Sequence, residues 1–221
     1  MNKIALFAIP LLINISLFGY SEDDIKKLLE TKECVKCDLK GAALQNTFLE
    51  FANISGSNLE GANLEGANLL GASMDGTNLK GANLKSANAK GTNFKGSNLE
   101  GAMLDEADVS GAIFRRGNLS NTSFKNAKMQ GAYLKEANLE NADLSGANLK
   151  NANMVSTKLA NTNMNGTETS DIFKTDPKKS KKSKKGKKAK SDKKSKKSTK
   201  SSQKSKKSTQ NKSQTVKKSK K

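Results

Sequence analysis

Few side chains in this 221-residue sequence are equipped for chemistry. It contains no His and no Trp, so the commonest general base and the commonest nitrogen ligand for metals are missing. No nucleophile has a base beside it, no Gly-rich loop is placed to cradle a phosphate, and no carboxylates cluster in sequence. The chain therefore reads as non-enzymatic, with no cofactor and no metal. Two candidate groups remain. The first is Cys34-x-x-Cys37, the only two cysteines. They are open to three readings: a buried or disulfide-linked structural pair, a redox motif, or metal ligands. A redox motif of this spacing wants a βαβ context that is lacking here, and two Cys without His cannot complete a tetrahedral zinc shell within one chain. The second group is lysine. Residues 174–221 hold 23 of the 40 basic residues and only two acids, Asp176 and Asp192, which leaves 17 bases against 19 acids in residues 1–173.

Lys178, Lys179, Lys181, Lys182, Lys184, Lys185, Lys187 and Lys188 open that basic run, in which Lys and Ser recur with almost no apolar residue. Such a composition predicts a disordered polycation. It would bind anionic polymers, lipid headgroups or nucleic acid through counterion release, with affinity falling steeply as salt rises and little sequence discrimination. Arg forks and aromatic stacking residues are absent from it, so no specific phosphate or base geometry is encoded. The plainer reading is a solubilising extension. At the other end, Lys3 precedes an apolar run over residues 4–18, and Gly19-Tyr20-Ser21 sets small residues at a plausible cleavage site. Residues 1–21 read as a secretory signal peptide, which predicts an exported protein, periplasmic or extracellular.

The element that must position everything between these ends is a repeat. From Leu39 to Met164 an apolar residue, nearly always large, recurs at every fifth position, 26 times without an insertion, with Ala89 replacing the large side chain once. Two positions earlier stands a small residue, sixteen times Ala, and the residue between the two is usually Asn. Period five is neither helical nor simply alternating. In an extended segment, residues two apart share a side, so the small and central residues face inward and the middle residue outward. The remaining two residues turn a corner, and Gly or Asn fills the second of them in 20 of the 26 units. Four short sides close a coil of twenty residues, and coils stack at about 4.8 Å.

Ala62-Asn63-Leu64-Glu65-Gly66 and its neighbours resemble the pentapeptide repeat family, over residues 37–166 without a gap. That resemblance implies a right-handed quadrilateral parallel β-helix, an all-β fold. Glu22 to Thr31 carries acids in its first turn and an apolar face of Ile25, Leu28 and Leu29, which predicts a short capping helix. With the Cys-x-x-Cys-Asp-Leu that follows, it resembles the start of exported members of the family. The expected organisation is a signal peptide at 1–21, a capping helix and cysteine entry at 22–36, the β-helix at 37–173 and a disordered tail at 174–221. Ile172 and Phe173 are expected to cover the final coil.

The twenty-residue period makes further expectations. Lys40, Glu60, Lys80 and Glu100 should form one alternating charge ladder, and Glu65, Lys85, Asp105 and Lys125 another. Ala89 precedes Phe94 and Val109 precedes Phe114, so an undersized residue is answered by an oversized one, and the two Phe should stack. Ile113 and Tyr133 take outward middle positions twenty apart, beside Lys95, Arg115, Arg116 and Lys135, which together form a candidate binding patch. The function expected is an exported structural or interaction rod with a tethering tail. The alternative that the resemblance implies is a DNA-mimicking regulator of the gyrase-protecting type, although the described balance of charges is not densely acidic.

Overall fold

The computed structural model describes residues 21–172. The leader up to Tyr20, Phe173 and the lysine tail lie outside the described residues. Parallel bridges join each outward middle residue to the one twenty positions later, from Glu33 with Asn53 to Asn148 with Glu168. The chain thus winds as a four-sided coil. Its faces can be labelled by their middle residues: face 1 holds Asp38, Asn58 and onward by twenties, face 2 Ala43 and Asn63, face 3 Phe48 and Asn68, and face 4 Glu33, Asn53, Ser73, Asn93, Ile113, Tyr133 and Asn153.

In a unit with Asn at its middle position, every backbone N–H can find a destination. Around Leu59, the Leu59 N–H donates to the Asn78 carbonyl at 2.6 Å and the Gly61 N–H to Lys80 at 2.9 Å. The Ala62 N–H donates back to Leu59 at 3.0 Å, and the Asn58 N–H to Cys37 in the preceding coil at 2.9 Å. The fifth N–H, at the corner, is answered by a side chain: Glu60 donates to Asn58 Oδ1 at 3.3 Å. This Asx turn explains why the middle residue is so often Asn or Asp. The same amides also hydrogen-bond along the rod, with Asn58, Asn78, Asn98, Asn118 and Asn138 each donating Nδ2 to Oδ1 of the residue twenty earlier.

The second corner residue is left-handed in every unit, at fourteen Gly and also at six Asn and at Phe51, Ser86, Glu106, Arg116, Glu136 and Ser156. A side chain there leans over the next coil. A Cβ on Gly71 would lie 2.8 Å from the Phe51 ring, so Phe51 is accommodated because Gly71 follows it twenty residues on.

Central residues from Cys34 to Leu149 are fully buried. Phe94 and Phe114 stack with ring centroids 5.1 Å apart, and Phe114 meets Phe124 edge-on at 6.0 Å. Close packing therefore converts the small Ala89 and Val109 into room for rings. Where the small position carries a hydroxyl, it is satisfied: Thr92, Ser97 and Thr122 donate to the carbonyls of Leu69, Met74 and Leu99 at 2.6 to 2.8 Å.

Helix α1 (Glu22–Thr31) closes the first coil. Leu28 is fully buried and Ile25 packs against the core. Leu29 departs from the expected face and stays 37% exposed, because it is turned about 100° from Leu28. Ser21 caps the helix by accepting the Asp24 N–H at 3.2 Å. Its own N–H donates to the Asp38 carbonyl, and the Asp38 N–H donates to the Asp24 carboxylate at 2.9 Å. Ser21 and Asp24 thereby supply to Asp38 the two partners that a preceding coil would have offered. Cleavage after Ser21 would remove a cap worth about 1 kcal/mol.

The charge ladders form in part. Lys40 pairs with Glu60 at 3.2 Å and Lys80 with Glu100 at 3.3 Å. The second ladder does not close: Lys125 reaches Asp143 at 3.6 Å instead, and Glu65 accepts from Asn83. Long exposed side chains choose among partners of similar energy, each pair contributing about 0.2 to 1 kcal/mol. Among the described residues no helix is long and apolar enough to cross a membrane.

Candidate binding site

Two places hold chemistry beyond the repeat itself. The first is the entry. Cys34 takes a central slot and Cys37 a small one, both buried, and a disulfide joins them. The Ser57 hydroxyl accepts the Cys37 N–H at 2.9 Å and donates to the Cys34 carbonyl at 2.5 Å, tying the bridged turn to the second coil. The Asp24 carboxylate and the two sulfurs lie within 4.8 Å of one another. With the sulfurs bonded together this trio has no thiolate to offer a metal.

The second place is on face 4. Ile113 and Tyr133 occupy middle positions where Asn would accept the corner N–H, as Asn93 does for Lys95 at 3.1 Å and Asn153 for Val155 at 3.2 Å. The backbone N–H groups of Arg115 and Lys135 accordingly have no intramolecular acceptor among the described residues. Ile113, Arg115, Tyr133, Lys135 and Asn153 line a shallow depression of about 270 Å³. That is below the roughly 300–1,000 Å³ of small-molecule clefts, and its size suits a few docked side chains. Tyr133 is 53% exposed. Arg115 Nε is buried without a hydrogen-bond partner.

The corner beside this face differs from the others in charge order. Lys95, Arg115 and Lys135 follow one another at the same position in successive coils, with no acid between them. Like charges stacked this way oppose folding unless a counter-charge arrives. Lys95 and Arg115 are in no ion pair among the described residues, and Lys135 has only a long 3.8 Å contact to Glu136. Arg116 turns away from the depression and donates from Nε to Glu136 at 2.6 Å. That hydrogen bond holds the Glu136 carboxyl below its ordinary value against a smaller opposing effect of burial, with the charges of Arg116, Arg115 and Lys135 adding to it.

Of the six patch residues anticipated, the structure gathers Ile113, Arg115, Tyr133 and Lys135 into one surface. It leaves Lys95 one coil below and assigns Arg116 to Glu136. Asn153 completes the lining and was findable by counting twenty beyond Tyr133. Also missed were Phe48 and Phe51, which are 72% and 74% exposed; the signal for Phe48 was the same apolar residue at a middle position. The lysines of the tail lie outside the described residues.

A four-sided parallel coil with small and central apolar residues filling its interior defines a repeat solenoid. The chain belongs to the pentapeptide repeat family: the family profile "Pentapeptide repeats" matches in eight copies spanning residues 33–166, and solved members are of the right-handed β-helix type. Among solved structures the chain is similar to HetL from Nostoc sp. strain PCC 7120, a pentapeptide repeat protein involved in heterocyst differentiation regulation, at 26% identity, 61% of this chain and 75% of that one, TM-score 0.30. It is similar to AT2G44920 from the Arabidopsis thaliana thylakoid lumen at 32% identity, 48% and 68% coverage, TM-score 0.35. It is also similar to QnrB1, a plasmid-mediated fluoroquinolone resistance protein, at 16% identity, 67% and 82% coverage, TM-score 0.32. No curated protein matches the chain.

Proposed function

We propose that the protein is a non-enzymatic, exported interaction module: a β-helical rod that docks a partner on face 4 and is held to anionic envelope polymers, lipid or nucleic acid by its lysine tail. The observation that carries this reading is the depression at Ile113 and Tyr133, where the Asn pattern is broken in two successive coils beside the like-charged column of Lys95, Arg115 and Lys135. The buried slots are filled by Ala, Leu and Phe and offer no reacting group. Export rests on the apolar leader, and a disulfide at the entry suits an oxidising compartment. DNA mimicry of the gyrase-protecting kind is the weaker reading, because the corner after face 1 alternates Lys with Glu where a duplex mimic needs continuous acid.

The test is a photo-crosslinking amino acid placed at position 133 or, for comparison, at position 98 on face 1, in the full chain and in a chain ending at 173. Discrete adducts from position 133 only, with yield reduced and identity unchanged when the tail is removed, are expected. Identical adducts from both positions would defeat the docking face, and a yield indifferent to the tail would defeat the tether.

A further inference from the structure

We infer that face 4 receives an acidic amphipathic α-helix of a partner protein, laid along the rod with its carboxylates on Lys95, Arg115 and Lys135 and its apolar stripe on Ile113 and Tyr133. This rests on reading face 4 as the docking surface and goes further by assigning the partner's chemistry.

Charge complementarity gives the sign. Lys95, Arg115 and Lys135 succeed one another without an intervening acid and so favour an anionic occupant. Asp75, one coil before Lys95, accepts from Ser55, and Glu136 is held mainly by Arg116 and reaches only Lys135, at 3.8 Å. Arg115 is half-buried, with its Nε unpartnered, so an arriving carboxylate meets a donor that is not already engaged within the chain.

Composition narrows the class. A bare polyanion would be met by cations alone, whereas here a parallel column of Ile113 and half-exposed Tyr133 flanks the cationic column. The matching ligand carries an acidic row beside an apolar row. Single-stranded nucleic acid fits less well, because Ile113 offers no stacking plane for a second base.

Spacing selects the helix. Coils recur about every 4.8 Å, so three stacked cations span about 9.6 Å. A helix rising about 1.5 Å per residue sets carboxylates at i, i+3 and i+7 across about 10.5 Å, a mismatch of about 1 Å that Lys and Arg side chains absorb. A strand lying along the rod repeats its same-face side chains about every 6.8 Å and spans about 13.6 Å in two steps, roughly 4 Å too far. Helical spacing also brings apolar residues onto an adjacent stripe in the same two turns, the arrangement used when an amphipathic helix docks in a groove.

The experiment reads Tyr133 directly. Tyr20 and Tyr133 are the only tyrosines and there is no Trp, so the full chain carrying Tyr20→Phe has one intrinsic fluorophore. It is titrated at about 0.3 M salt, where counterion-release binding by the tail has weakened, with four probes lacking Tyr and Trp. These are an acidic amphipathic peptide with Glu at i, i+3 and i+7 and Leu beside each, its scrambled counterpart, polyglutamate, and a single-stranded oligonucleotide. The amphipathic peptide should bind at least about tenfold more tightly than the scramble, shift Tyr133 emission and gain helical circular dichroism. Arg115→Glu should weaken it at least about tenfold with an unchanged melting curve, and Lys95→Glu should do so less. Equal binding of scramble and amphipathic peptide, or indifference to Arg115→Glu, overturns the inference. If polyglutamate or the oligonucleotide moves Tyr133 more strongly than the amphipathic peptide, the helix is wrong while the docking face stands. If no probe moves it, both fall.

Discussion

Faces 1 and 4 of the coil share a backbone and use their outward positions in opposite ways. On face 1, Asn58, Asn78, Asn98, Asn118 and Asn138 each accept from or donate to a neighbouring coil, and the corner beside them alternates Lys with Glu. On face 4 the amide pattern breaks at Ile113 and Tyr133, and the corner beside them stacks Lys95, Arg115 and Lys135. One face satisfies its own polar groups; the other leaves N–H groups, a guanidinium and an aromatic ring waiting. Single breaks occur elsewhere, since the Asp105 and Gln130 N–H groups after Met103 and Lys128 also lack an intramolecular acceptor among the described residues; face 4 differs in having two breaks in successive coils beside a column of like charges.

That comparison fails if face 4 is simply a badly packed region, and the interior behind it decides. Phe114 lies directly behind the depression, fully buried, stacked on Phe94 and edge-on to Phe124. Phe114→Ala should cost about 3 to 5 kcal/mol in denaturant unfolding. A loss below about 1 kcal/mol would mean that the core there is loose and the exposed strip a by-product of it.

A sharper version exchanges the outward residues. Asn98 answers the Glu100 N–H at 3.2 Å and links Asn78 to Asn118. Asn98→Ala should therefore destabilise by about 1 to 3 kcal/mol. Tyr133→Asn runs the other way: it would give the Lys135 N–H an acceptor and Asn153 a neighbour in the amide column. Its stability should stay within about 0.5 kcal/mol of the parent or rise, while docking is lost. Equal destabilisation by both substitutions, measured side by side, would erase the difference between the faces.

How much of this was written in the sequence depends on which group is asked. The coil was legible because burial enforces its period: Leu59, Leu64 and their kin must be interior, so any register slip would expose every one of them. The Phe94 and Phe114 stack followed from their twenty-residue separation together with the small Ala89 and Val109 before them. The role of Asn was only half legible, because facing outward is a statement about direction, whereas its Asx bond to Glu60 and its link to the next coil are statements about hydrogen-bond geometry. The ladder of Glu65, Lys85, Asp105 and Lys125 was misread for a related reason. Lysine reaches several carboxylates of similar energy, and Lys125 settles on Asp143. At the candidate site, counting by twenties placed Ile113 beside Tyr133 and Arg115 beside Lys135, but corner residues one apart point differently, so Arg116 could not be separated from Arg115 without coordinates. The turn-position Phe51 was illegible, since its accommodation depends on Gly71 one coil away.

The smallest expected effect concerns that separation. Arg116 draws Glu136 into a 2.6 Å bond, which limits that carboxylate to a 3.8 Å contact with Lys135 and leaves it in no ion pair with Arg115. The Glu136 carboxyl is held below its ordinary value chiefly by that bond. A carboxyl lowered in the folded state stabilises above its unfolded pKa, and this contribution disappears as pH falls through the folded value. Arg116→Gln should thus lower the melting temperature slightly at neutral pH, because Glu136 is partly exposed and its pairing is screened, and not at all in acid, where the carboxyl is protonated. The same variant frees Glu136 to turn toward Arg115 and Lys135, so docking on face 4 should weaken at neutral pH and recover once Glu136 is protonated. A melting difference that grows toward acid, or docking unaffected at neutral pH, would mean that Arg116 does not guard the face and that Arg115 is left unpaired for some other reason.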